Sequence, residues 1–325
     1  IYSLIKEHLS NIQYLSMFNV APDLFLLRNT SIAVPGTYEP SKPKTLIKQF
    51  DPTLEIYNSK QRPRFLVIYG SDGSRHKSLL KGREDLRLDN RLMQFFLLIN
   101  QHIRQSCGSG AEKNQQQAMI SRYCITPITK KCGLIQYVDG VDTIFSLITE
   151  YRSNHSMNIF AEQTIETSFA SPNVDSLRPI QRMEALREAA SKTKDDDLRK
   201  IMWLKSPSSK DLMLRTSMFA QSNAVMSIVC YILGIGDRHP SNLLIHKRTG
   251  KVIHIDFGDC FEASRRRKFF PELIPFRLTR MMIKAFGPTE IEGDFRITCE
   301  QTLKLVQGHV SSIISILDIF MQEPL

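Results

Sequence analysis

Residues 231–263, YILGIGDRHPSNLLIHKRTGKVIHIDFGDCFEA, decide how the rest of the chain is read. The stretch opens on a loop, GDRHPSN, and enters an apolar strand, Leu243 to Ile245. It turns over the polar residues Lys247 to Lys251, with Gly250 where a left-handed residue fits, and returns in a second strand to Ile255. A chain that goes out and comes back delivers Asp256 to the same mouth of the hairpin as Asp237, His239 and Asn242. Carboxylate and amide oxygens and one imidazole are therefore expected to converge there.

A small set of hard oxygen donors suits magnesium, which takes one or two carboxylates and keeps waters and substrate phosphates as its other ligands. Asn242 and Asp256 are the expected ligands of Mg2+ or Mn2+. Asp237 precedes Asn242 by the same interval that separates the catalytic Asp from the Asn in the protein-kinase loop H-R-D-x-x-x-x-N, and Asp256-Phe257-Gly258 is a literal D-F-G. His239 stands two after the Asp, where many protein kinases place a lysine. The plain alternative is a polar hairpin with a satisfied histidine and two solvated acids; the joint order of D-x-H-x-x-N, hairpin and D-F-G weighs against it.

GDRHPSNLL with HIDFGDCFE is similar to the phosphatidylinositol-3-kinase-related protein kinases, and VPGTY, KQRPR, WLKSPSS and FPELIPFRLTRMM most resemble that family's target-of-rapamycin branch. The resemblance covers nearly the whole chain. It implies an α+β, bilobal fold of the phosphatidylinositol-kinase type, with a β-rich N-lobe at 31–137, a mainly helical C-lobe at 138–325 and the nucleotide between them. The catalytic loop would be 236–242 and the activation loop 256–275. Residues 1–30 would be the end of a helical rapamycin-binding region, and the short module that closes the family's kinase domain would lie beyond 325. A helical insert at about 153–193 would carry a WD-repeat propeller subunit, against the alternative of a plain surface hairpin, and scaffold subunits would bind through other parts of a longer chain.

Composition bounds the rest. The 325 residues, 42% of them hydrophobic, suffice for one large or two small cores. The formal net charge of +10 is spread along the chain except for one dense run, Arg265 to Lys268, so a cleft for nucleotide phosphates explains part of it and nucleic acid is not expected. Peripheral association with endomembrane surfaces fits the same charge. The six cysteines contain no C-x-x-C pair and read as reduced thiols of a cytoplasmic or nuclear protein. No apolar run reaches the roughly 18–20 residues of a membrane span, and the first ten residues lack a basic start and a cleavage site.

Along the chain, Leu4, Ile5, Leu9 and Ile12 fall at helical spacing, and VPGTYEPSKPK is a loop. TLIKQFDPTLEIY, RFLVIYG and HKSLLK read as strands with a tight turn at Asp72-Gly73, which is either an ordinary turn or, through backbone N–H groups and the Ser71 hydroxyl, a cover for phosphates. The resemblance matches the family's phosphate-covering loop to Gly70 through Gly73. It makes Lys81 the phosphate-gripping lysine at the end of a strand that includes Leu79, with Asp89 as its carboxylate partner and Glu84 also near. The following helix has its apolar face at Leu86, Leu92, Met93, Phe96, Leu97 and Ile99. RYCITPI and CGLIQYV read as buried strands, the second leading by resemblance into a hinge where Tyr137 lies against adenine and the Val138 backbone bonds it. Leu244 and Ile255 would complete the nucleotide pocket.

VDTIFSLITEYR reads as an amphipathic helix, and residues 153–193 as a weaker helical segment broken at Pro172 and Pro179. Asp195 to Asp197 sit at the positive end of another helix, Ser208 or Ser209 caps the long helix that delivers the catalytic loop, and Glu300 to Met321 forms the last one. The activity implied is that of a non-specific serine/threonine protein kinase in growth and nutrient signalling, moving the ATP γ-phosphoryl to protein substrates. Lys81 would hold phosphate oxygens, while Asp237 and His239 share the work on the hydroxyl and the transferring group. Two other classes stay open: a phosphoinositide lipid kinase of the same superfamily, and a catalytically silent scaffold.

Overall fold

Short-range alternation and strand edges build the first unit. The computed structural model describes residues 12–57, 59, 61–106, 119–169, 178–261, 263, 265–267 and 272–322. The chain begins its described part with β1 (Tyr14–Ser16), α1 (Met17–Val20) and α2 (Pro22–Leu26). It continues through β2 (Ile47–Phe50), β3 (Thr53–Ile56), β4 (Arg64–Gly70), β5 (Arg75–Gly82) and α3 (Arg87–Ser106), then β6 (Ile125–Thr129) and β7 (Cys132–Gln136). These strands form an antiparallel sheet of order β1-β3-β4-β5-β7-β6, with β2 and β3 following one another along the same edge of β4. Met17, Val34, Ile47, Leu54, Leu66, Ile68 and Leu134 make its core.

The helix expected over residues 1–30 is corrected here. Residues 1–11 lie outside the described part, and Tyr14 to Ser16 is a strand that pairs with Glu55 to Thr53. A ladder on an otherwise open edge satisfies backbone groups that a short isolated helix, marginal in water, would leave to solvent. Leu92, Phe96 and Ile99 of the expected α3 face are buried, but Phe95 joins them at zero exposure while Leu97 is only half-buried.

The second unit opens with β8 (Val141–Thr143) and α4 (Ile144–Asn154), then α5 (Ala161–Phe169), α6 (Pro179–Lys192), α7 (Asp197–Leu204) and α8 (Ser209–Leu233). The hairpin strands β9 (Leu243–His246) and β10 (Val252–His254) follow, and α9 (Arg280–Ala285), α10 (Asp294–Gly308) and α11 (Val310–Gln322) end the described chain. By contacts the first unit comprises 1–98, 122–139 and 311–325, and the second 99–121 and 140–310. Ile144, Leu198, Phe219, Leu243, Val252 and Phe286 belong to the core of the helical unit.

Three expectations change in this unit. Val141 to Thr143 is not helical: it pairs with Leu244 to His246, giving a three-stranded sheet, and Thr143 then caps α4 by accepting the Ser146 N–H at 2.9 Å. Pro179 does not break a helix but opens α6 at its first position, where no N–H is needed; Pro172 lies outside the described residues. The last helix is two, α10 and α11, parted at His309, whose φ of -126° and ψ of 27° leave helical geometry. Ser208 is the cap of α8, accepting the Asp211 N–H at 3.1 Å. This 25-residue helix is long and apolar enough to cross a membrane, yet Phe219, Ala224, Val229, Cys230 and Leu233 bury its length in the protein.

Candidate active site

The catalytic hairpin is anchored from below. α8 ends on Gly234 at φ 59°, where an added Cβ would stand 2.2 Å from the Phe261 carbonyl oxygen, so only glycine lets the chain turn into the loop. The Gly236 N–H then donates to the Asp259 carbonyl at 2.9 Å, and the Ile255 N–H to the Asn242 carbonyl at 3.1 Å. Between these two rungs, 237–242 and 256–258 are drawn to one mouth, as the antiparallel register Val252↔Ile245 and His254↔Leu243 requires. Leu244 and Ile255 flank that mouth, both half-buried.

Arg238, which reading the sequence missed, ties the two segments together. It is 4% exposed, and its guanidinium donates to the carbonyls of Gly236 at 2.8 Å, Ile255 at 3.0 Å and Asp256. It also lies 5.2 Å from the ring centroid of the wholly buried Phe257. The clasp holds two strained residues: Asp237 at φ 56° and Asp256 at φ 61° are non-glycine residues in the left-handed region, each costing about 1–3 kcal/mol. Such strain persists only where surrounding bonds over-determine it.

The donor set fits a divalent cation. The buried Asn242 commits its side-chain N–H to the Asp237 carbonyl at 3.0 Å, which leaves the amide oxygen as the ligand atom, and the exposed Asp256 carboxylate meets no cation among the described residues. Among the described residues no group of three or more His, Cys, Asp or Glu is arranged to hold a metal ion on its own. Beneath lies uncharged ground: burial, reinforced by the Arg238 charge, pushes the His254 imidazole down to about 3, and burial pushes the Cys230 thiol up to about 12. His239 is exposed, and its Nδ1 accepts the Ser241 N–H at 3.2 Å, which leaves Nε2 as the ring's donor.

In the sheet unit, Lys81 meets Glu84 at 3.2 Å, both side chains 20% exposed. Asp89, the partner implied by resemblance, sits buried in the first turn of α3, and the ion pair goes to Glu84. Leu79 lies opposite Ile135 in the ladder. The Tyr137 N–H donates to the Lys77 carbonyl at 2.9 Å, and its ring packs edge-on to Phe65 at 5.1 Å and beside Tyr57 at 6.3 Å. Burial and a hydrogen bond with Tyr137 raise the Tyr57 hydroxyl above its ordinary range. The Val138 N–H makes no backbone hydrogen bond among the described residues.

The phosphate-covering assignment of Gly70 and Ser71 does not survive the register. Tyr69 faces Arg75 and Arg64 faces Leu80, so the 71–74 turn is at one end of the β4–β5 ladder and Lys81 at the other, roughly 20 Å apart at 3.3 Å per residue. The Ser71 N–H and hydroxyl are also engaged with Leu46, and Asp72 presents a carboxylate held low by Ser74. The connection beside Lys81 is instead 57–63, between β3 and β4, closed by Tyr57 N–H to Pro63 at 3.0 Å and Arg62 N–H to Ser59 at 3.1 Å. A groove of about 1010 Å³ lined by Trp203, Met213 and Phe286 contains none of the candidate site residues.

Residues 76–325 match the family described as Phosphatidylinositol 3- and 4-kinase, and the chain belongs to that family. Within it, the chain is similar to serine/threonine-protein kinase TOR of Arabidopsis thaliana, 43% identical over all 325 residues, and to TOR2 of Saccharomyces cerevisiae, 41% identical. In both cases it spans 13% of the relative's length. Among solved structures, the FAT and kinase domain of CtTel1 is 27% identical with a TM-score of 0.74, covering 90% of this chain and 20% of that one. The open conformation of CtTel1 is 26% identical with a TM-score of 0.78, over 94% of this chain and 12% of that one.

Proposed function

We propose that the chain is the catalytic domain of a target-of-rapamycin-type, non-specific serine/threonine protein kinase, working in the cytoplasm within a longer protein that binds scaffold subunits. The supporting observation is the Arg238 clasp, which holds Asp237, Asn242 and Asp256 at one mouth at the expense of two left-handed aspartates. The Asn242 amide oxygen and the Asp256 carboxylate hold Mg2+ or Mn2+, which when bound neutralises charge on the β- and γ-phosphates of ATP. Lys81, oriented by Glu84, grips phosphate oxygens. Tyr137 and the Val138 N–H take the adenine, with Leu79 as an apolar contact. His239, with Nδ1 occupied, donates from Nε2 to the transferring group, and Asp237 accepts the proton of the serine or threonine hydroxyl.

The phosphoinositide-kinase reading draws on the basic run at 265–268, but Arg267 is already paired with Asp259 and Glu272, Arg266 has partners of its own, and Lys268 lies outside the described residues. The exposed stripe Ile180, Met183 and Leu186 on α6 supports docking of a propeller subunit on the insert. Labelled ATP offered with a serine peptide and with phosphoinositide vesicles is the test. Label should pass to the peptide and fall about 100-fold or more in Asp256→Ala; transfer to the lipid alone would refute the protein-kinase reading.

A further inference from the structure

The Asp237 N–H donates to both carboxylate oxygens of Glu272, each at 3.1 Å, across 35 residues of chain. Glu272 stands near the end of the activation segment, in ELIPFRLTR, which leads into α9. Its carboxylate also accepts from Arg267 at 3.2 Å, and Arg267 pairs with Asp259, whose carbonyl receives the Gly236 N–H. Catalytic loop, D-F-G segment and activation segment are thus joined in one ring of bonds that closes on Asp237.

We infer that Glu272 is a positioning residue for Asp237, held in place by Arg267. Asp237 at φ 56° turns its N–H out of the loop, and a charge-assisted bond to a carboxylate is the strong kind of restraint a left-handed aspartate requires. A second acid beside Asp237 would otherwise repel it, and the Arg267 guanidinium offsets that repulsion. A carboxylate placed only for packing would be a poor choice at a half-buried position next to another acid. The same carboxylate therefore sets the direction of Asp237 and ties it through Arg267 to Asp259. The inference rests on the reading of Asp237 as the residue that accepts the hydroxyl proton.

The test is steady-state phosphorylation of a serine peptide by the full-length protein. Glu272→Ala is expected to lower kcat about 10- to 100-fold while KM for ATP and the thermal midpoint stay near wild type. Glu272→Gln keeps an acceptor oxygen for the Asp237 N–H and should recover most of the rate. Should the alanine variant fail to fold, Glu272→Met, of similar length but without an acceptor, replaces it against glutamine. Equal loss in glutamine and in the non-acceptor variant, or loss in neither, overturns the positioning role. Asp237→Asn is measured beside them: an active Asp237→Asn overturns the reading of the site, whereas an inactive one with unimpaired Glu272→Ala overturns only this inference.

Discussion

Arg152→Met should cost about 3–5 kcal/mol of stability, because it strips the cation from a buried carboxylate. Arg152, 3% exposed in the last turn of α4, donates from Nε to Asp197 at 2.7 Å and grips Glu162 with two bonds of 2.8 Å. It also donates to the Ile159 carbonyl at 2.8 Å. Asp197 is 1% exposed at the start of α7 and cannot regain water, whereas the Glu162 side chain, 36% exposed, can; the loss is therefore mainly that of an uncompensated Asp197. The Glu162 bonds, then the Asp197 bond, raise the guanidinium pKa against the opposing effect of burial, so the cation persists at every working pH. For a protein of this size the loss amounts to a fall of about 4–7 °C in the thermal midpoint. Arg152→Met/Asp197→Leu should regain most of it, since both charges are then gone. The Arg152 bond holds the Glu162 carboxyl below its ordinary value, so that contribution is complete above the usual carboxylate range and is lost as pH falls through the lowered pKa; the variant should lack this acid slope. Calorimetry decides: a single variant within about 1 kcal/mol of wild type, or a double variant no better than the single, would refute the argument.

Lys251 is half-buried, and burial alone lowers its ammonium to about 8, so the unfolded chain binds the extra proton between there and the ordinary 10.5 and stability should rise with pH across that window. Lys251→Met should abolish that rise and add on the order of 2–3 kcal/mol at neutral pH, read by denaturant titration at two pH values. Glu84→Ala should lower kcat/KM for ATP about tenfold by freeing Lys81, while Asp89→Asn should show in the melting temperature and leave ATP use nearly unchanged; the reverse pattern would return the lysine to Asp89. Met183→Asp on α6 should abolish copurification of a propeller subunit without moving kcat, which a binding assay with the full-length protein would check.

The candidate site residues of the helical unit are legible because their signals are local. Gly250 takes the left-handed turn at φ 75° that its place between two apolar runs predicts, and the mouth residues follow from a hairpin of fixed period. What sequence does not show depends on long-range closure. Nothing around Arg238 in GDRHPSN says that its guanidinium returns to carbonyls 17 and 18 residues on, and nothing near Glu272 says that it meets Asp237. Edge pairing likewise overrides local preference in β1 and β8, where three residues each gain a ladder that their own pattern does not announce.

The misplaced phosphate cover shows where such reading fails. Gly70 through Ser74 carries the composition of a phosphate cradle, and its nearness to Lys81 in sequence invites the match. In an antiparallel ladder, however, a turn and a residue seven places beyond it lie at opposite ends of the strand, because the intervening residues are spent crossing the sheet. The loop on the lysine's side must be the one preceding β4. In this chain that is 57–63, whose KQRPR supplies cations in place of glycines. Composition identifies what a loop can bind; only the register says which loop is in reach.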